Sequence, residues 1–210
     1  MLTATFTYQI LKTVKMKPLL FVDFDGTLCF DKFWRSTDKE QFAKIQALIF
    51  KKGAPLVNGW MRGRHTSETI NQLVADELGV PYETVWEWFM HDCRSMSVSV
   101  AALGRIQELR AKFRSILVTD NMDCFTRFTV PGLGLDQHFD QIVNSFETGK
   151  LKMDNEGEVF WDCVQEAGVS MEDCVLIDNS KGTCDQFTKL GGRACFVDDK
   201  KTAEYWLNKL

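Results

Sequence analysis

A short apolar run that ends in two carboxylates is the feature that most constrains how this chain folds. Residues 19–22, Leu-Leu-Phe-Val, have the character of a buried strand, and Asp23 and Asp25 follow at its end. Gly26 and Thr27 come next, and a glycine there suits a sharp turn. Open α/β sheets bind ligands at the carboxyl ends of their strands, so this position predicts a site. The two carboxylates would repel each other unless a divalent cation or a shared proton lay between them.

The overall composition narrows the class of protein. Of the 210 residues, 45% are hydrophobic and 26% are charged, which is ordinary for a globular chain with one substantial core. The net charge of −4 gives no support for nucleic acid as a partner. No apolar run approaches the roughly 20 residues that cross a bilayer, so we expect no membrane partner either.

The cysteines and the first residues favour a cytoplasmic location. The seven cysteines are scattered without CxxC pairs, which argues against a disulfide framework or a zinc ribbon and for a reducing compartment. Residues 1–17 carry three lysines but lack the apolar core and small-residue cleavage site of a targeting signal. We therefore expect residues 1–17 to form an N-terminal extension.

Strand-like runs and helical patterns divide the chain. The first strand is followed by a long stretch, residues 30–110, in which only helical patterns are visible. Within it, Thr37 and Glu40 have the spacing of a capping box, and an apolar stripe over Ser67–Leu78 ends at Gly79. Beyond it, helical segments separate four further strand-like runs, at residues 115–118, 141–144, 174–177 and 194–197.

This order of elements predicts the fold class. Strands that alternate with helices form a parallel sheet with helices on both faces. We expect an α/β protein with a Rossmann-like, three-layer core built from residues 18–29 and 111–210. Residues 30–110 would be an inserted α-helical cap domain.

Polar residues follow the strong strands where each strand ends. Asp23 and Asp25 follow the first, Thr119 follows the second, and Asp178 follows a third. A loop, Gly149-Lys-Leu-Lys152, adds a basic group. Three acids, a hydroxyl and a lysine suit phosphoryl transfer, in which a carboxylate attacks phosphorus, a cation screens charge and donors hold the oxygens.

Four segments in this order resemble the motifs of the haloacid dehalogenase (HAD) superfamily. Residues 23–28, DFDGTL, are similar to its DxDGT motif, and Val118-Thr119-Asp120 resembles its second motif, an apolar strand that ends in Thr or Ser. Gly149-x-x-Lys152-Met-Asp154 resembles GxxKPD, and Leu176-Ile-Asp178-Asn179-Ser180 resembles the fourth motif. The resemblance covers about residues 18–200, and it places a C1-type cap at the helical insertion.

The resemblance implies a role for each matching residue. Asp23 would be the nucleophile that forms an aspartyl-phosphate. Asp25 would protonate the leaving alcohol and then activate water. Thr119 and the backbone amide of Asp120 would bind phosphate oxygens, and Lys152 would hold the nucleophile and the phosphate together.

The resemblance also implies a Mg²⁺ site. Asp178 would bind the ion with Asp23 and the backbone carbonyl of Asp25, and Asn179 stands where a second acid is common in the family. Two departures matter. Asn179 in that place would either lower the affinity for Mg²⁺ or leave Asp178 to hold the ion with waters. Met153 in place of the usual proline leaves Lys150 as an alternative to Lys152. The spacing to Gly149 favours Lys152.

These roles predict a Mg²⁺-dependent phosphomonoester hydrolase that acts on a small phosphorylated metabolite, as a monomer or a homodimer. Asp25 argues against a 2-haloacid dehalogenase, because halide departs without a proton. A phosphomutase and a non-catalytic phospho-ligand binder remain alternatives, the second supported by Asn179 and Met153. In the cap, Arg62 and Arg64 could reach an anionic leaving group, or they could be solvated loop residues.

Overall fold

The chain forms a five-stranded parallel sheet in the computed structural model, which describes residues 16–52 and 54–210. The predicted N-terminal extension lies outside the described residues, apart from its last two. The strands are β1 (Leu19–Val22), β2 (Arg114–Thr119), β3 (Gln141–Asn144), β4 (Val175–Asp178) and β5 (Arg193–Phe196). Their order is β3-β2-β1-β4-β5, and every neighbouring pair is parallel. The predicted α/β class is confirmed.

Helices occupy the remainder of the described chain. Between β1 and β2 lie α1 (Lys39–Gln46), a π-helical segment (Ala47–Lys52), α2 (Ala54–Met61), α3 (Ser67–Leu78), α4 (Tyr82–Arg94) and α5 (Val100–Leu109). After β2 come a π-helical turn (Phe125–Thr129), α6 (Val130–Leu133), α7 (Ser145–Thr148), α8 (Glu158–Ala167), α9 (Lys181–Lys189) and α10 (Ala203–Leu207). Short 3₁₀ turns span Leu135–Gln137, Asp154–Glu156 and Met171–Asp173. Every described helix is too short or too polar to cross a lipid bilayer.

Strand β1 lies at the centre of the sheet because it is apolar on both faces. Leu19 and Phe21 pack on one side with Phe160 of α8 and Phe187 of α9. Leu20 and Val22 face the opposite side, where the core continues into the helices between β1 and β2. Alternate residues of one short strand thus join both helical layers to the sheet, as a buried parallel strand requires.

The first helix begins one residue later than the capping-box prediction placed it. Asp38 is the N-cap, and its carboxylate accepts hydrogen bonds from the backbone N–H groups of Glu40 and Gln41, each at 2.9 Å. The Thr37 hydroxyl instead donates to the backbone carbonyl of Trp34. A carboxylate is a strong acceptor at the positive end of a helix, so Asp38 takes the position that Thr37 was expected to fill. By contrast, the prediction of a helix over Ser67–Leu78 that ends at Gly79 is confirmed, and Gly79 caps it in the left-handed conformation.

A cluster of aromatic rings fills the helical region between β1 and β2. The ring of Phe89 lies 4.9 Å from that of Trp34 and 6.1 Å from that of Trp60, and all three side chains are fully buried. Helix α5, at the end of this region, packs against α10. The division of the chain into a core and a cap stays a prediction.

Asp123, just after β2, connects this helical region to the sheet. Its buried carboxylate accepts hydrogen bonds from the indole N–H of Trp60 at 2.7 Å, from the backbone N–H and the hydroxyl of Ser67, and from Arg127. Four donors satisfy the charge of the carboxylate, which makes its burial tolerable. One side chain therefore holds α2, the start of α3 and the segment after β2 together.

The variant Asp123→Ala should lower the free energy of unfolding by about 3 kcal/mol or more. It leaves the buried indole N–H of Trp60 and the Ser67 donors without an acceptor, and it removes a partner of Arg127. Trp60→Phe, the matched control, removes a single donor and should cost about 1–2 kcal/mol by that loss. Urea unfolding measures both, and equal losses in the two variants would contradict this role of Asp123.

Candidate active site

A buried ion triad lies at the carboxyl edge of the sheet. The ammonium of Lys152 donates to Oδ1 of Asp23 and to Oδ2 of Asp178, both at 2.7 Å. All three side chains are buried. Asp23 and Asp178 come together because β1 and β4 are neighbours, and the backbone N–H of Asp23 continues their ladder by donating to the carbonyl of Ile177 at 3.0 Å.

The turn after β1 holds the Asp23 carboxylate from the other side. The Thr27 hydroxyl donates to Oδ2 of Asp23 at 2.8 Å and accepts from the backbone N–H of Asn179 at 3.1 Å. Gly26 has a φ of +75°, and a Cβ there would lie 2.1 Å from the side-chain nitrogen of Asn179. The turn therefore requires glycine both for its backbone conformation and for the close approach of Asn179.

The three residues at the end of β2 each serve a different part of the site. The Thr119 hydroxyl is buried and has no hydrogen-bond partner among the described residues. Oδ1 of Asp120 accepts from the backbone N–H of Lys152 at 2.8 Å, which anchors the residue that supplies the ammonium. The side chain of Asn121 donates to Oδ2 of Asp25 at 3.0 Å.

Carboxylates outnumber cations in this cluster, and burial raises the pKa of three of the carboxyl groups. Burial and the charge of Asp23 raise the pKa of Asp25 to about 6. Burial also raises the pKa of Asp178 to about 6, although Lys152 opposes the shift. For Lys152, burial would lower the pKa, but the charges of Asp23 and Asp178 outweigh burial and raise it. Asp120, which lies half-buried nearby, also has a raised pKa, and removal of its carboxyl group from water is again the largest cause.

The loop that carries Lys152 is closed by Asp154 and Arg62. Asp154 accepts from the backbone N–H of Leu151 at 2.9 Å and forms a two-pronged ion pair with Arg62, in which Nη2 lies 2.7 Å from Oδ1. Arg62 also donates to the carbonyl of Gly149 at 3.3 Å. The guanidinium of Arg62, the residue directly after α2, thus contacts the Lys152 loop and makes no ion pair with the triad. Arg64 is exposed.

The two candidate lysines lie in different surroundings. Lys150 pairs with Glu158 at 2.8 Å and with Asp162 at 2.9 Å, at a partly exposed position. Lys152 alone of the two contacts Asp23 and Asp178. The geometry therefore favours Lys152 for the role that the sequence left open between them.

Three contacts of the site went unpredicted from the sequence. Thr27 stands inside the DxDGT motif, so its link between Asp23 and Asn179 had a local signal that could have been used. Asp120 was expected to act only through its backbone amide, so the hydrogen bond that its carboxylate accepts from Lys152 was not predicted. Asn121 carries no local signal, since its partner Asp25 is 96 residues away in the chain.

The donor set suits a hard divalent cation. Mg²⁺ takes oxygen ligands, keeps several waters and is commonly bound by one or two carboxylates together with substrate phosphate. Asp23 and Asp178 offer such oxygens in a cluster with an excess of carboxylates. No group of three or more His, Cys, Asp or Glu side chains within residues 16–52 and 54–210 would hold a metal by itself. Asn179 has its side-chain oxygen 3.4 Å from the Thr27 hydroxyl.

Comparison with known proteins identifies the fold. No family model matches the sequence, and no curated protein matches it. Among solved structures, a HAD family enzyme from Bacteroides thetaiotaomicron, in complex with magnesium and inorganic phosphate, aligns with a TM-score of 0.68 at 18% identity, over 87% of this chain and 94% of that chain. A predicted HAD-like family hydrolase from Porphyromonas gingivalis aligns with a TM-score of 0.64 at 21% identity, over 88% and 92%.

A dehalogenase shares the same architecture. The 2-haloacid dehalogenase from Pseudomonas syringae pv. Tomato aligns with a TM-score of 0.57 at 18% identity, over 86% of each chain. At these identities the likeness concerns the fold, and the chemistry has to be argued from the site. The chain has the fold of the HAD family enzymes.

Proposed function

We propose that this protein is a Mg²⁺-dependent phosphomonoester hydrolase that acts through an aspartyl-phosphate on Asp23. The observation that carries the proposal is the triad of Asp23, Lys152 and Asp178 beside the unpartnered hydroxyl of Thr119. A phosphoryl group at Asp23 would meet an ammonium and a hydroxyl donor, which suits the charge on its oxygens. The magnesium and phosphate named for the Bacteroides thetaiotaomicron enzyme support the same chemistry.

In the first step, a carboxylate oxygen of Asp23 attacks phosphorus, and the bond from phosphorus to the leaving oxygen breaks. Asp25 gives its proton to that oxygen, so the product leaves as an alcohol. A pKa near 6 suits this duty, because a carboxyl group with an ordinary pKa would rarely hold a proton near neutral pH. Such assistance is typically worth about 10²–10⁴-fold in rate.

In the second step, Asp25, now ionised, takes a proton from water. The water oxygen attacks phosphorus, the bond between phosphorus and Asp23 breaks, and inorganic phosphate is released. Through both steps Lys152, the Thr119 hydroxyl and the backbone N–H of Asp120 would hold phosphate oxygens. Asp120 supports this arrangement by fixing the backbone of Lys152.

Asp23, Asp178 and the backbone carbonyl of Asp25 would hold Mg²⁺. Its positive charge would offset the repulsion between a dianionic phosphate and the two carboxylates. Asn179 would support this site from beside Gly26 and Thr27. The substrate in this proposal is a small phosphorylated metabolite. Arg64, exposed near the end of α2, would contact its organic part, and Arg62 could join only by leaving Asp154.

Asp25 also distinguishes the proposal from the chemistry named for the Pseudomonas syringae neighbour. A haloacid reaction expels halide, which needs no proton donor, whereas an alkoxide does. The hydrogen-bonded and partly buried carboxyl of Asp25 therefore favours phosphate esters.

The purified protein should hydrolyse an aryl phosphate when Mg²⁺ is present and should lose the activity in EDTA. Restoring Mg²⁺ should restore the rate, because the cation offsets the repulsion between phosphate and the carboxylate cluster. The hydrolytic activity is measured as release of inorganic phosphate, first from the aryl phosphate and then from a panel of sugar phosphates, nucleotides and other phosphometabolites. Asp23→Asn is the control and should be folded but inactive; full activity in that variant would refute the mechanism.

Lys152→Met should lower kcat at least about 10²-fold, as loss of a charged donor to the reacting phosphate does. Lys150→Met is the matched control two residues away. It removes only partly exposed ion pairs, so kcat should stay within about twofold. Lys152→Arg keeps the positive charge between the two carboxylates and so serves as a control for misfolding. Its kcat should still fall, because a planar guanidinium cannot replace an ammonium at this position. Circular dichroism confirms folding, and equal losses in the Lys150 and Lys152 variants would count against the assignment.

A further inference from the structure

The carboxylate of Asp25 is held by a single amide. Nδ2 of Asn121 lies 3.0 Å from Oδ2 of Asp25, and Asn121 is the one side chain in the described part of the chain that hydrogen-bonds this carboxylate. Asn121 is buried, with 1% of its surface exposed, whereas Asp25 is half-buried. The contact thus joins an interior residue to a carboxylate that is partly exposed.

The amide of Asn121 has a determined orientation. Its Oδ1 accepts a hydrogen bond from the backbone N–H of Met122 at 2.9 Å. A backbone N–H can only donate, so the oxygen of the amide must face Met122 and the NH₂ group must face Asp25. Asn121 therefore donates to Asp25, and rotation of the amide would break both hydrogen bonds.

The backbone of Asn121 is fixed as well. Its N–H donates to the hydroxyl of Ser145 at 3.0 Å, and that hydroxyl donates to the carbonyl of Asn121 at 3.1 Å. Ser145 is buried at the start of α7, directly after β3. The end of β3 therefore holds the loop after β2, and through Asn121 it holds Asp25.

We propose that Asn121 is a positioning residue that orients the Asp25 carboxyl for proton transfer to the leaving group. With Oδ2 accepting from Asn121, the proton resides on Oδ1, from which it passes to the leaving oxygen as the bond to phosphorus breaks. A general acid acts within about 2.6–3.2 Å of the atom it protonates, or through one water, so free rotation of Asp25 would lower the rate. The inference rests on the proposed phosphatase activity.

Two esters of similar size test this role. Phenyl phosphate has a poor leaving group that needs the proton, and 4-nitrophenyl phosphate has a good one that needs it little. In Asn121→Ala, kcat/KM should fall for phenyl phosphate at least about tenfold more than it falls for 4-nitrophenyl phosphate. A tenfold difference is a part of the rate enhancement that general acid catalysis supplies. The ratio of the two values reports proton delivery, because kcat/KM excludes the later hydrolysis of the aspartyl-phosphate.

Asn144→Ala is the matched control. Asn144 is another buried amide that supports the same loop, through the carbonyl of Met122 at 2.9 Å, and it does not touch Asp25. Its loss should change both esters equally. Ser145→Ala keeps Asn121 but removes its backbone anchor, so it should show a smaller selective loss; it also serves if Asn121→Ala fails to fold.

The outcomes separate this inference from the function on which it rests. If the wild-type protein hydrolyses both esters and the Asn121 and Ser145 variants lose them selectively, the positioning role is supported. Equal losses on both esters, or the same selectivity in Asn144→Ala, would overturn it and leave the phosphatase proposal intact. If the wild-type protein hydrolyses neither ester with Mg²⁺, both the function and the positioning role fail.

Discussion

The buried ammonium of Lys152 is the interaction on which the site depends. It is shared by Asp23 and Asp178, from the ends of two adjacent strands. Two carboxylates about 4 Å apart would repel each other by about 4 kcal/mol at an effective dielectric of about 20. The ammonium offsets that repulsion, and Thr27 and the backbone N–H of Ser180 hold the outer oxygens in place. The triad thereby fixes the geometry of three segments that are far apart in sequence.

Residues of the loop after β2 form hydrogen bonds with several segments around the triad. Asp120 holds the backbone of Lys152, Asn121 holds Asp25, and Asp123 holds the helices between β1 and β2. Arg62, directly after α2, contacts the Lys152 loop through Asp154. The ion pair between Arg62 and Asp154 therefore ties the helical region to the loop that supplies Lys152.

How much of the fold and of the site could be predicted from the sequence depends on how far apart along the chain the contacting residues lie. Asp23, Thr119 and Asp178 lie at the carboxyl ends of apolar strands, and the rule that parallel strands end at one edge predicts from the sequence that they come together. Ser67–Leu78 was predictable because its apolar stripe and its glycine cap are local. Asn121 and Asp25, or Arg62 and Asp154, meet through loop conformation and side-chain rotamers, which no periodic pattern encodes. The cap at Asp38 shows the same limit at close range, since two adjacent residues could each have capped the helix and the structure uses the carboxylate.

The central claim is that Asp23 becomes covalently phosphorylated, and chemical trapping tests it most directly. The protein is mixed with an aryl phosphate and Mg²⁺, quenched within one turnover and reduced with borohydride, which converts an acyl phosphate of aspartate into homoserine. Peptide mass spectrometry then locates the altered residue. The account predicts homoserine at position 23 and none in protein that has not met substrate. Turnover of the ester with an unaltered Asp23, or with the label at another residue, would contradict it.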